Sequence, residues 1–216
     1  FIEKIFSYCR GSDLMNFSLV NKRWYKCIGK SPACMNKIKI FMTEPNIGCY
    51  QHFTMSDAVV LIQGGRRYVH ILITNIERSM LTQHKLLLAY FKWKSVAIHN
   101  HSFRTKMELI NFLGIVEPHV EELILRTVRH GRSMHEIGHT NFSFPYLQRL
   151  TISNCHTYVY VEPFIQIHSL EQFSIATEVV PFYRYDRDMV ARIKSIQFII
   201  LRNRGECFIS HFVPNY

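Results

Sequence analysis

Five consecutive residues have the spacing of a catalytic metal site: His135-Glu136-Ile137-Gly138-His139 reads H-E-x-x-H. On a helix that spacing sets two imidazoles one turn apart on one face to ligate zinc, and places the glutamate to activate the bound water. The extended form of the pattern fails, with Phe142 in place of its glycine and Pro145 in place of its third histidine. Gly131 and Pro145 also bound the segment too closely for a long active-site helix. Solvated loop histidines are the expected reading, and a zinc-dependent peptidase is the lesser alternative. Gly64-Gly65-Arg66-Arg67 lacks the spacing and the lysine-hydroxyl pair of a phosphate loop and reads as a turn. Asn16-Phe17-Ser18 and Asn141-Phe142-Ser143 match the glycosylation sequon, which carries weight only in a secreted chain. The cysteines, Cys9, Cys27, Cys34, Cys49, Cys155 and Cys207, are scattered without C-x-x-C pairs. That usage points to a reducing compartment. No catalytic residue, metal or cofactor is expected.

Any chemistry must be positioned by a globular chain of 216 residues, 48% hydrophobic and 19% charged, a composition that excludes wholesale disorder. No apolar stretch approaches the roughly 18 residues of a membrane span. The formal charge of +10 is uneven. Residues 1 to 40 carry eight basic residues against Glu3 and Asp13, whereas the remaining residues are close to balanced. A basic protein binding nucleic acid is the main alternative function, and it would rest on that N-terminal piece. Phe1 is not an initiator methionine and helical patterning begins at once, so the sequence reads as a fragment.

Residues 1 to 31 read as three short helices. Ile2, Ile5 and Phe6 share one face, and Gly11-Ser12-Asp13 breaks and restarts the helix. Leu14, Phe17 and Leu19-Val20 suit the second helix, which Asn21 ends. Trp24, Tyr25, Cys27 and Ile28 lie on a third that stops near Gly29 to Pro32. Such short helices cannot bury their apolar faces alone, so the unit needs a neighbour. The blocks Ile5-Phe6-Ser7-Tyr8, Ser12-Asp13-Leu14 and Leu19-Val20-Asn21-Lys22-Arg23-Trp24-Tyr25 resemble the F-box in order and spacing. The resemblance covers residues 1 to about 32. The Leu-Pro-x-Glu opening of that motif would lie upstream of Phe1, and Cys9 stands where leucine is usual.

Beyond residue 32 the pattern becomes apolar-x-x-apolar-x-apolar. It occurs as Met35/Ile38/Ile40, Tyr68/Ile71/Ile73, Trp93/Val96/Ile98, Val120/Leu123/Leu125, Leu147/Leu150/Ile152, Leu170/Phe173/Ile175 and Ile193/Ile196/Phe198. After a longer first interval the units recur every 23 to 27 residues, as leucine-rich repeats do. Between them, Thr105-Lys106-Met107-Glu108 is a capping box for a helix through Ile110 and Leu113, with Gly114 placed to end it. Leu81 to Phe91 and Asp186 to Arg192 are further helical stretches. The asparagine or cysteine of regular repeats appears only as Cys155, so the repeats are irregular. The expected fold is α/β: a three-helix F-box unit at 1–32, then about seven irregular leucine-rich repeats at 33–216 with parallel strands, truncated near Tyr216.

An F-box followed by irregular repeats resembles the F-box/leucine-rich-repeat proteins. That resemblance implies a non-catalytic substrate receptor, cytoplasmic or nuclear, in a ubiquitin ligase built from a Skp adaptor, a cullin and the F-box protein. The helical unit would dock the adaptor through Ile2, Ile5, Phe6, Leu14, Val20 and Trp24. The repeats would hold an unknown target with an acidic or phosphorylated patch. Strand alternation puts the residues between the inward positions on the outer face, in the row Lys39, Leu72, Ala97, Ile124, Thr151, Ser174, Gln197. A second row reads Phe41, Thr74, His99, Arg126, Ser153, and Glu122 falls beside Arg149. The expected target site is therefore an exposed stripe of Leu72, Ala97 and Ile124, with His99 and Arg126 holding an acidic group.

Overall fold

A computed structural model describes residues 2–43, 55–74, 85–130, 143–153, 167–177, 193–201 and 207–212. The chain divides into two compact units, Phe1–Lys94 and Ser95–Tyr216. The sequence reading placed its boundary at residue 32.

The first unit opens with four helices: α1 (Ile2–Phe6), α2 (Gly11–Val20), α3 (Lys22–Lys30) and the unforeseen α4 (Pro32–Met35). The starts of α2, α3 and α4 have local causes. The Arg10 N–H donates to the Asp13 carboxylate ahead of α2, at 3.2 Å. Asn21, extended at φ −160°, caps α3 by accepting the Trp24 N–H at 2.9 Å. Ser31 caps α4 by accepting the Cys34 N–H, and Pro32 at the first helical position has no N–H to leave unsatisfied. Gly11 is required by closeness: a Cβ there would lie 2.0 Å from the Lys37 carbonyl oxygen. The Lys37 ammonium in turn donates to the carbonyls of Ser7 and Cys9.

The same unit continues through β1 (Lys39–Thr43), α5 (Met55–Gln63), β2 (His70–Thr74) and α6 (Lys85–Tyr90). Strands β1 and β2 are parallel, pairing Ile40 with Ile71 and Met42 with Ile73. This corrects the first repeat by two residues, since Ile38 and Ile40 were expected opposite Ile71 and Ile73. A shift of two keeps the same side chains inward, so the pattern could not detect it. Phe41, not Lys39, is therefore the neighbour of Leu72. Tyr68, Phe91 and Trp93 pack edge to face or tilted at 5.2 to 5.5 Å, and the Trp93 indole donates to the Leu88 carbonyl.

The second unit is built on β3 (Ser95–His99), β5 (Glu122–Arg126), β7 (Arg149–Ser153), β8 (Gln172–Thr177) and β9 (Ser195–Leu201), all parallel in that order. The register matches the expected repeats: Val96, Leu123, Leu150, Phe173 and Ile196 form one row. Ile98, Leu125, Ile152, Ile175 and Phe198 form the next. The inward residues of β3, β5, β7 and β8 are buried. Strand β10 (Cys207–Phe212) runs antiparallel along β9, a pairing that the repeat pattern did not contain.

Between β3 and β5 lie the short β4 (Ser102–Phe103) and helix α7 (Lys106–Val116). β4 pairs in parallel with an equally short β6 (Arg129–His130). Thr105 caps α7, accepting the Glu108 N–H at 3.1 Å. Gly114 does not end this helix. Val116 beyond it is buried, and the turn tightens at Glu117–His119, which contains Pro118. The Glu117 carboxylate accepts the N–H groups of Ser143 and Phe144, tying the approach to β7. Asn100 (φ 49°) and Thr127 (φ 52°) recur just past β3 and β5 in left-handed backbone. Each donates its N–H to the strand after next in sequence, Asn100 to Arg126 and Thr127 to Ser153. Where Cys155 was singled out, the earlier strands place buried His101 and Val128. Cys155 itself, the stretch Asp186 to Arg192, and His135 to His139 lie outside the described residues.

Candidate functional site

In the first unit the apolar residues of the N-terminal helices separate into two sets. Phe6, Phe17 and Trp24 pack ring on ring with centroids 5.6 to 5.9 Å apart, and Leu14 and Ile28 are wholly buried. Phe6 and Leu14, expected on the docking surface, are thus core residues. Ile2 and Trp24 are half-buried, while Ile5 and Val20 are exposed. Leu19 (84% exposed), Tyr8 and Met15 join them at the surface. Sequence reasoning left these three out of the docking set. Leu14 and Ser18, four apart, point inward on α2, which turns Leu19, one position later, away from that face.

What fixes these helices comes from residue 64 onward. Gly64 and Gly65 make the expected turn, with Gly65 at φ 65°. It delivers Arg66 into the helical unit, where the residue is only 4% exposed. The guanidinium lies 3.7 Å from the Tyr25 ring centroid and donates to the Tyr25 carbonyl at 3.1 Å and to Ser18 Oγ at 3.5 Å. In return the Tyr25 hydroxyl donates to the Gly64 carbonyl at 3.2 Å. Gly29 admits the arginine stem, since a Cβ there would lie 3.1 Å from Arg66 Cγ. Burial pushes the Tyr68 phenol upward from its ordinary pKa, and the neighbouring Arg66 charge and hydrogen bond oppose that shift.

Of the residues expected to hold a target, Ala97, His99, Ile124 and Arg126 lie in the second unit. Ala97 is buried (4%), so it is not part of an exposed stripe. Its single methyl stands beside the longer Ile124, which is half-buried. His99 is half-buried opposite exposed Arg126. Glu122 and Arg149 do meet, at 3.2 Å, and Glu122 also accepts from Ser95 Oγ at 2.7 Å. Leu72, in the first unit, is half-buried beside exposed Phe41.

Among the described residues no group of three or more His, Cys, Asp or Glu is placed to hold a metal ion. Cys9, Cys27 and Cys34 are free thiols. No described helix is long and apolar enough to cross a membrane. The chain has no match among curated proteins or solved structures. Its N-terminal segment does match a family, the F-box domain, over residues 1–33. That match spans α1 to α3 and the start of α4, the helices that carry the exposed Ile5, Leu19 and Val20. The chain therefore carries an F-box domain at residues 1–33, followed by mixed helices and a parallel sheet.

Proposed function

We propose that this chain is the substrate-recognition subunit of a Skp, cullin and F-box ubiquitin ligase. Its F-box domain, by the typical behaviour of such domains, docks a Skp adaptor. The carrying observation is the F-box match at residues 1–33 together with large apolar side chains left in solvent on those helices. Ile5, Leu19 and Val20, with Tyr8 and Met15 beside them, are the residues a partner would cover. The cullin joins through the adaptor. The evenly spaced parallel strands behind the F-box are read as irregular leucine-rich repeats, whose outer face binds a target protein around Ile124, His99 and Arg126. Arg126 is exposed and has no ion-pair partner among the described residues, which suits an acidic or phosphorylated group on the target. No bond is made or broken by this subunit. It acts by holding the target near the ubiquitin carrier, which raises their effective concentration. The free thiols fit work in the reducing cytoplasm or nucleus.

The test uses Leu19→Ala with Val20→Ala in the full chain, because truncating exposed side chains leaves the core intact. Adaptor binding should be lost while unfolding is unchanged. Full adaptor affinity in the folded double variant refutes the docking assignment. Leu14→Ala is the contrasting control. Emptying that fully buried site should cost about 2 to 5 kcal/mol of stability.

A further inference from the structure

Helix α3 carries four cations, Lys22, Arg23, Lys26 and Lys30, and no acidic residue. At about 100° per residue they fall within one arc of about 100°, on the side opposite buried Ile28. All four are exposed, and none pairs with a carboxylate among the described residues. Their placement works against the helix. Lys22 and Arg23 occupy the first turn, where the partial positive charge of the helix end opposes them. Lys22 and Lys26, and then Lys26 and Lys30, are like charges four apart on one face. The nearest acids in sequence are Asp13, already engaged at the Arg10 N–H, and Glu44, 14 residues beyond Lys30. The arc also begins where α2 ends: Asn21 alone separates the exposed Leu19 and Val20 from Lys22.

We propose that this arc is the electrostatic half of the adaptor-docking surface, receiving a carboxylate-rich segment of the same partner that covers Leu19 and Val20. The inference rests on the adaptor-docking reading above. A partner seated on those two residues comes within reach of the arc. A partner of like charge there would be repelled, whereas one bearing carboxylates gains long-range attraction that speeds encounter. Nucleic acid fits less well. The rings of α1 to α3 are engaged, Phe6, Phe17 and Trp24 with one another and Tyr25 with Arg66, which leaves exposed Tyr8, outside these helices, to stack on a base.

The experiment measures association and dissociation rates of the full chain with purified Skp adaptor between about 0.05 and about 0.5 M salt. The variant carries Lys22→Gln, Arg23→Gln, Lys26→Gln and Lys30→Gln, and the pairs K22Q/R23Q and K26Q/K30Q serve if the fourfold variant is poorly soluble. Wild-type association should slow steeply with salt. The variant should associate about tenfold more slowly at low salt, with little salt dependence and a nearly unchanged dissociation rate. Leu19→Ala with Val20→Ala should instead accelerate dissociation. Equal association rates for wild type and the charge variant overturn the proposal while leaving the docking reading intact. Failure of the wild-type chain to bind adaptor at any salt removes the docking reading and this proposal with it. Binding of a single-stranded oligonucleotide through the four cations, with adaptor rates unmoved by their loss, replaces the protein partner with a nucleic acid.

Discussion

Arg66 offers a direct measurement of how residues outside the F-box segment hold that segment together. Its guanidinium gains a charge-assisted hydrogen bond to the Tyr25 carbonyl, about 1.5 to 3 kcal/mol, and a stacking interaction with the Tyr25 ring of about 1 to 2 kcal/mol. Against these stands the desolvation of a buried cation, several kcal/mol, with one nitrogen, Nε, lacking a hydrogen bond. The polar head is therefore worth only about 1 kcal/mol net. Its removal leaves Ser18 Oγ satisfied, since that hydroxyl already donates to the Met15 carbonyl at 2.6 Å, and takes from the Tyr68 phenol only a hydrogen bond that favoured its charged form. The stem is different. It packs against Gly29, and the two methylenes lost in alanine are worth about 0.8 kcal/mol each before any cavity cost. Arg66→Met should thus cost about 1 kcal/mol and Arg66→Ala about 3 kcal/mol. The assay is urea unfolding followed by tryptophan fluorescence. The chain's two tryptophans, Trp24 and Trp93, both lie in the first unit, so the signal reports that unit. Equal losses for Met and Ala would refute the reasoning, because the polar contacts rather than the stem would then dominate.

Two further perturbations probe the same unit. Gly11→Ala should destabilise it by about 2 kcal/mol despite alanine's better helix propensity, because the new Cβ meets the Lys37 carbonyl, which is backbone and cannot swing aside; a neutral or stabilised variant in the same urea titration would show that the approach relaxes freely. The raised pKa of Tyr68 means that the folded state holds its phenolic proton more tightly than the unfolded chain, whose ordinary value is 10.0. Its contribution is full below that pH and declines as the pH rises toward the folded value. Tyr68→Phe should accordingly flatten part of the stability loss above about pH 10, and an unchanged alkaline decline would contradict the assignment.

Much of this architecture is legible in the chain itself. The apolar-x-x-apolar-x-apolar units named the inward residues of β3, β5, β7 and β8, and a shared spacing set the register from β3 to β9 because these strands repeat the same offset. Helices α3 and α7 were readable from their starts, since Asn21 and Thr105 cap through their own side chains, a property of residue type, whereas α4 and α5 were not foreseen. The tertiary structure decided what depends on distant partners. A period of two fixes which face a side chain occupies but is blind to a two-residue slide, so only pairing revealed Phe41 beside Leu72. Whether Leu14 or Leu19 meets solvent depends on which helix face the neighbours cover, and both residues are leucine. Ala97 is buried beside the longer Ile124 although its row faces outward. The burial of Arg66 could not be read locally, because its partners Ser18 and Tyr25 lie more than 40 residues earlier in the chain. A charged residue in a glycine turn is ordinarily solvated, and only the close approach of the two segments gives it a ring and a carbonyl to bind.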